Sequence, residues 1–202
     1  MEQNIQNIEL TYLTIADYPE FKESMIQAYH NMPESYWKEH HIKKLVTVFP
    51  EGQVVLKVNN QIAACALSII VDYDNTLSVH SYREITGNYT FDTHTKKGNI
   101  LYGIEVFVKP EFRGLRLGRR LYDYRKELCE KLNLKGIIFG GRIPNYHKYA
   151  AELTPKEYIR KVKDREIHDP VLNFQLANDF HPVKVLKGYL EGDEVSKENA
   201  VL

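Results

Sequence analysis

The amino-acid sequence predicts an α/β or α+β fold, one domain built on a mixed sheet. Three observations carry that reading. Apolar runs of strand length alternate with amphipathic stripes of helical spacing, two neighbouring runs meet at an Asn-Asn turn, and the strongest strand feeds a helix through a short glycine-bearing loop. A length of 202 residues suits one domain rather than several. Hydrophobic residues at 43% supply a core and leave the chain too apolar to stay disordered.

Charge and cysteine usage narrow the class. Lys+Arg and Asp+Glu are 27 each, a balance that argues against a whole-surface grip on nucleic acid. Cys65 and Cys129 both sit in apolar stretches, so buried reduced thiols are expected rather than disulfides or a metal cluster. The first twelve residues have neither a basic start nor an apolar run. The longest apolar stretch, residues 62–71, is far short of the ~20 residues a membrane helix needs. A soluble, cytoplasmic protein without metal or membrane contact is the expectation.

Element by element, residues 8–14 read as a short strand. Asp17 opens a helix, with Glu20 three residues on as a capping box and Phe21, Met25 and Tyr29 recurring on one face. A second helix runs from Ser35 to about Val48, with Trp37, His41 and Leu45 at helical spacing, and Pro50 and Gly52 stop it. His40 and His41, being adjacent, face different ways and make an improbable metal pair. Strands at 53–58 and 61–71 flank Asn59-Asn60, whose tolerance of positive φ suits a two-residue hairpin turn.

Residues 72–99 form a polar stretch holding Tyr73, His80, Tyr82, Tyr89 and His94. It is too long for a bare loop, so a functional flap or an extra hairpin is expected. A buried strand follows at 100–108, then a helix at 118–133 with Leu117, Leu121, Tyr124, Leu128 and Leu132 on one stripe. Residues 136–139 are a short apolar strand and 146–151 a helical turn. Thr154-Pro155-Lys156-Glu157 is a capping box with Pro at the first helical position, starting a helix to about Arg165. Asp169-Pro170 opens a shorter helix ending near Asn178, and residues 182–190 and 198–202 read as final strands.

The chemistry concentrates at residues 106–120. A strand ends at Pro110, a tight loop with Gly114 and Gly118 follows, and a helix begins at once. Unpaired N–H groups at a helix N-terminus carry partial positive charge and favour an anion, typically a phosphate. The glycines allow close backbone approach, and Arg113, Arg116, Arg119 and Arg120 add full charges. The segment lacks the lysine of a Walker loop and is not GxGxxG. The alternative is a basic surface helix with a glycine at each end of its loop.

This segment, Val108-Lys-Pro110-Glu-Phe-Arg113-Gly114-Leu-Arg116-Leu-Gly118, resembles the signature of the GNAT superfamily of N-acetyltransferases. The β-α-α-β-β-β order before it matches as well, and the likeness covers essentially the whole chain. One departure is visible: Arg116 stands where the family usually has Gly, and its Cβ restricts the loop. Three further segments, residues 116–122, 140–149 and 169–175, resemble more closely the acetyltransferase module that some bacterial proteins carry ahead of a carbon–nitrogen hydrolase (nitrilase-like) domain. On that likeness the chain reads as the N-terminal part of a longer protein, one domain over 1–202 with an insertion at 72–99.

The resemblance implies a mixed, mostly antiparallel central sheet with helices on both faces and splayed fourth and fifth strands. The gap takes the pantetheine arm of acetyl-CoA, the implied co-substrate, along Val106, Phe107 and Val108. Its pyrophosphate sits on Arg113, Gly114, Leu115, Arg116, Leu117, Gly118 and Arg119, and Asn145 falls among the implied cofactor contacts. The acetyl carbonyl lies near Glu105, held by a strand N–H in oxyanion fashion. A primary amine, on a small molecule or a protein, attacks the thioester directly.

That attack needs a neutral amine and hence a base. Glu105 is the only carboxylate in an otherwise apolar strand, and burial would raise its pKa; the alternative is a strand residue on the solvated face. In many relatives a Tyr protonates the departing thiolate, but Gln175 holds that position here and Asp179 replaces the Gly that follows it. Tyr146, His147 and Tyr149 are the substitutes, each with a packing or surface role as the alternative. Asp72, Asp74 and Asp92 would attract a cationic acceptor or serve as solvated loop carboxylates.

Two rival readings stand beside the enzyme. One is a non-catalytic acyl-CoA-binding module that regulates an attached hydrolase domain; the other is a phosphate-binding structural module. A homodimer and a fused C-terminal hydrolase are both compatible with the resemblance.

Overall fold

The structure is a computed structural model and describes residues 7–29, 36–73 and 79–202. In chain order its strands and helices are β1 (Ile8–Tyr12), α1 (Tyr18–Ala28), α2 (Glu39–Val48), β2 (Gln53–Val58), β3 (Gln61–Val71), α3 (Tyr82–Ile85), β4 (Ile100–Val108), α4 (Leu117–Lys131), β5 (Gly136–Ile138), β6 (Gly141–Arg142), α5 (Pro155–Lys163), α6 (Pro170–Leu176), β7 (Val185–Leu186) and β8 (Ala200–Val201). They form two compact units, residues 1–72 with 89–137, and residues 73–88 with 138–202. Among the described residues no helix is long and apolar enough to cross a membrane.

The first unit holds a five-stranded sheet in the order β1-β2-β3-β4-β5. Strands β1 to β4 are mutually antiparallel and β5 runs parallel to β4, which makes the sheet mixed. Its centre is β3, buried almost throughout, because both faces are covered. On one face Val54, Leu56, Ala64 and Ala66 pack against Leu117 and Leu121 of α4. On the other Phe21 of α1 meets Phe107 of β4, ring centroids 5.8 Å apart. Asn59 and Asn60 adopt φ of 48° and 67°, the left-handed pair that the β2–β3 hairpin turn requires. Cys65 and Cys129 are buried free thiols.

The second unit holds a three-stranded sheet in the order β6-β8-β7. Tyr146, Tyr158, Val162, Leu172 and Val201 form its core with α5 and α6. Thr154 caps α5 as its sequence requires: its hydroxyl accepts from the Glu157 amide, and Glu157 accepts from the Thr154 amide at 2.8 Å. Asp169 caps α6 by accepting from the amides of Val171 and Leu172, both at 3.0 Å.

Four local expectations change. The Asp17–Glu20 box does not form, because Asp17 accepts from Thr14 and pairs with Lys57 at 2.7 Å, while Glu20 accepts from the Ile62 amide. The predicted α2 start at Ser35 lies outside the described residues; the helix as described begins at Glu39. The strands expected at 182–190 and 198–202 shrink to two residues each, since Gly188, Lys197 and Glu198 turn left-handed. Within 79–99 no extra hairpin appears among the described residues. Ser81 instead caps the single turn α3, with Glu84 reciprocating.

Candidate active site

The loop between β4 and α4 is anchored at both ends by burial. Phe112 is 2% exposed and Leu117 1%, and both join the core on the α4 face of the sheet. Between them Arg113, Gly114 and Arg116 are exposed, followed by exposed Arg119 and Arg120. Gly114 has φ 88°, which only glycine adopts without strain. Arg116 is the N-cap of α4 and is left-handed at φ 57°, ψ 23°. The departure from glycine at this position thus keeps the glycine backbone and accepts its cost. Asp179, the other residue standing for a family glycine, is also left-handed at φ 67°.

The first helical hydrogen bond of α4 runs from Arg120 N to Arg116 O at 3.2 Å. The amides of Leu117, Gly118 and Arg119 therefore face outward from the helix end. The first turn contains no acidic residue, so the helix dipole and the arginines act together on an incoming anion. Nothing lies within 4 Å of where a Gly114 Cβ would be, so the loop is open on that side. These residues fit the pyrophosphate of a coenzyme A thioester: donors, charge and space converge at one helix end.

Glu105 lies near the C-terminal end of β4, on the face covered by α1. Tyr29, at the end of α1, brings its hydroxyl to 2.5 Å from Glu105 Oε1 and 3.2 Å from the Val106 carbonyl oxygen. The Val106 amide donates to the same Oε1 at 3.1 Å. Some of the residue's surface stays open, but protein atoms enclose the carboxylate, and that desolvation pushes its pKa above the usual glutamate range. Hydrogen bonds from Tyr29 and Val106, the nearby indole of Trp37 and the charge of Arg125 pull the other way without cancelling it. Glu105 is thus enclosed and hydrogen-bonded, with its pKa raised.

Strand β5 has three residues against nine in β4 and starts beside it, with Lys135 N donating to Asn99 O at 2.7 Å. Three residues span about 10 Å, so Val106, Phe107 and Val108 lie beyond the reach of β5. Their backbone edge is where the sequence expects the cofactor's arm.

The remaining expected residues fall in the second unit. Tyr146 is buried, donates to Leu153 O at 2.9 Å and packs on Tyr158. Exposed His147 places Nδ1 2.8 Å from Pro144 O and 3.2 Å from Val195 O, which makes Nδ1 the protonated nitrogen and Nε2 the acceptor of the neutral ring. Half-buried Tyr149 lies 5.6 Å from the Tyr158 ring. Asn145 donates its backbone N–H to Asp169 and its side-chain amide to His168 O. Gln175 is buried against Gly141, where an added Cβ would come within 2.3 Å of Oε1.

Of the three carboxylates expected to draw a cationic acceptor, Asp92 pairs with Lys44 at 3.0 Å, Asp72 is exposed, and Asp74 lies outside the described residues. Sequence reasoning missed Tyr29, Trp37 and Arg125 as members of the site. Tyr29 was visible as the end of a helical stripe, but nothing local signals that its hydroxyl meets a residue 76 positions away.

A profile described as the acetyltransferase (GNAT) family matches residues 16–151. Two curated relatives come from Bacillus subtilis (strain 168). A "probable hydrolase YhcX" is 42% identical over 166 residues, 82% of this chain but 32% of that protein. An "uncharacterized N-acetyltransferase YkwB" is 32% identical over 161 residues, 80% of this chain and 71% of that one. This chain thus spans about a third of the first relative's length. Among solved structures, the loading GNATL domain of CurA from Lyngbya majuscula overlays with a TM-score of 0.83 at 20% identity, covering 97% of this chain and 96% of that one. The GphF GNAT-like decarboxylase in complex with isobutyryl-CoA overlays with a TM-score of 0.78 at 17% identity, covering 96% of each. At such identities these two likenesses speak to the fold alone.

Proposed function

The chain belongs to the acetyltransferase (GNAT) family, and we propose that it transfers an acetyl group from acetyl-CoA to a primary amine with Glu105 as the general base. The observation that carries this reading is the Glu105–Tyr29 pair: an enclosed carboxylate with a raised pKa, oriented by a phenol at 2.5 Å.

In this reading the amides of Leu117, Gly118 and Arg119 and the side chains of Arg113, Arg116 and Arg119 hold the pyrophosphate. The edge of Val106, Phe107 and Val108 receives the pantetheine arm. When bound, acetyl-CoA supplies the activated thioester. Glu105 takes the proton of the attacking ammonium, directly or through water, and Tyr29 keeps its carboxylate from turning away. Tyr146 drops out as a donor to the departing thiolate, because its buried hydroxyl already donates to Leu153 O, which leaves His147 and Tyr149 as the proposed donors. Of these His147 can donate from Nε2 only as imidazolium, because its neutral ring keeps the proton on Nδ1. In the relative named a probable hydrolase the matched stretch is about a third of the chain. That supports the reading that this fold can be joined to a hydrolase domain.

A second reading follows from the extent of the fold overlap with a GNAT-like decarboxylase, 96% of each chain. A carboxyacyl-CoA would lose CO2, and the carbanion would take a proton from protonated Glu105 instead of an amine giving one up. One experiment separates the two. Acetyl-CoA and a carboxyacyl-CoA are each incubated with the protein, with and without an amine panel, while thiol and CO2 release are followed. Thiol release that requires an amine supports acetyl transfer. CO2 release without an amine replaces it with decarboxylation. Absence of both, together with micromolar CoA binding by calorimetry, would leave a binding module.

A further inference from the structure

The direction in which Glu105 points is decided by a break in the sheet. Leu101 and Gly103 lie on the α4 face of β4: Leu101 packs with Leu128 and Cys129, and a Cβ at Gly103 would meet Arg125 Nη1 at 2.9 Å. Strict alternation would place Glu105 and Phe107 on that face too. Instead Val106 and Val108 pack there with Leu117 and Leu121, while Glu105 and Phe107 turn to Tyr29 and Phe21 of α1. The register explains the reversal. Leu67 pairs with Glu105 and Ser68 with Gly103, so β4 carries one extra residue, Ile104, opposite that step.

Arg125 of α4 fills this step from behind the sheet. It is 2% exposed, and its Nη2 donates to Leu67 O at 2.6 Å and to Glu105 O at 2.7 Å. Its Nε donates to Ser68 Oγ at 3.0 Å. One guanidinium nitrogen, Nη2, thus bonds carbonyls of both strands where the bulge disrupts their ladder. Burying a guanidinium is costly, and an apolar side chain of similar volume would fill the space with less desolvation. That apolar side chain would, however, leave the carbonyls of Leu67 and Glu105 without this partner, so the arginine's place here is explained by the bonds it makes to them.

We propose that Arg125 is a positioning residue: by clamping the carbonyls of Leu67 and Glu105 it fixes the bulge that turns the Glu105 carboxylate toward α1 and the acyl site. It touches no substrate and acts through the main chain of Glu105. The inference rests on Glu105 as the base. The groups that face this carboxylate are Tyr29 from α1, Cys65 from β3 and the indole of Trp37, and the charge of Arg125 acts on it from the α4 side of the sheet.

The test compares Arg125→Met and Arg125→Lys with the wild type in the full chain. Three readouts are taken: kcat and KM for acetyl-CoA, the NMR titration of the Glu105 carboxyl (assigned by its loss in Glu105→Gln), and hydrogen exchange of the Val106 amide. Arg125→Met is expected to lower kcat about 10-fold or more with KM changed less than about 2-fold. It should also move the Glu105 titration and speed Val106 exchange about 10-fold, because that amide bonds Oε1 only while Glu105 faces α1. Arg125→Lys keeps the charge, but its single donor nitrogen on a shorter side chain cannot hold both carbonyls and Ser68 Oγ together as Nη2 and Nε do, so kcat stays low.

Full recovery of kcat in Arg125→Lys would overturn positioning in favour of charge alone, as would a folded Arg125→Met indistinguishable from the wild type. If Arg125→Met does not fold, Arg125→Lys decides by the same criteria. If the wild type transfers no acetyl group, the reading of Glu105 as base falls by itself. Val106 exchange then decides on Arg125: faster exchange supports the clamp and unchanged exchange overturns it.

Discussion

Two parts of the site are built in opposite ways. The loop proposed to bind the anion is local: residues 113–119 lie in one run of sequence, and helix geometry alone turns three amides outward. The carboxylate site is assembled: Glu105 on β4 is met by Tyr29 from α1, backed by Arg125 from α4, and aimed by a register shift against Leu67 and Ser68 of β3. Damage to the first should be graded, because each arginine adds a screened surface charge. Damage to the second should be steep, because its members are enclosed and depend on one another.

The largest expected effect breaks the assembled part alone. Glu105→Gln should lower kcat by about 10²–10³-fold while leaving acetyl-CoA affinity, measured by calorimetry, unchanged. An equal loss of affinity would mean the two parts are not separable. In the wild type the acidic limb of kcat/KM should lie above the ordinary glutamate range, because enclosure raises the Glu105 pKa, and it should vanish in the variant. Linkage fixes the sign for stability as well. A carboxyl whose folded pKa is raised contributes stability that is present below its unfolded value and lost as pH rises through the folded one. Glu105→Gln should therefore melt no lower than the wild type at neutral pH, as thermal unfolding would show.

Next in size, Arg113→Ala combined with Gly118→Trp breaks the local part. Acetyl-CoA affinity should fall on the order of 100-fold, since a bulky side chain at the helix end blocks the amides. Retained affinity in titration would place the phosphate site elsewhere.

A sharper probe of the assembled part is Tyr29→Phe. It removes one hydrogen bond to a charged group and should cost about 10-fold in kcat. Because that bond holds the Glu105 pKa down, the acidic limb should move to higher pH; a limb that stays put would show that Tyr29 does not act on the carboxylate.

The smallest effect separates backbone from charge within the loop. Arg116→Gly relieves a left-handed non-glycine residue and should stabilise the fold by about 1 kcal/mol in denaturant unfolding, while weakening acetyl-CoA binding about threefold. Unaltered binding would reduce Arg116 to a strained cap without a phosphate contact.

The contrast also explains what was legible. The loop was read from residues 106–120 because Pro, Gly and Arg at those spacings state local backbone preferences and charge. The α5 cap, the Asn59-Asn60 turn and the buried strands β3 and β4 were legible for the same reason. The Asp17–Glu20 box was misread because two distant partners, Lys57 and the Ile62 amide, outbid a local interaction worth about 1 kcal/mol. Glu105 could be picked out as the lone carboxylate of an apolar strand, but alternation alone would have pointed it toward α4.

The sequence by itself determined the order of elements, the neutral charge balance and the position of the helix end after the glycine-bearing loop, because these follow from periodicity, composition and local φ preferences. Tertiary structure alone decided that Glu105 faces α1, that Tyr29 meets it and that Arg125 holds the bulge between them. A bulge is a mismatch between two strands, and neither strand's sequence contains it.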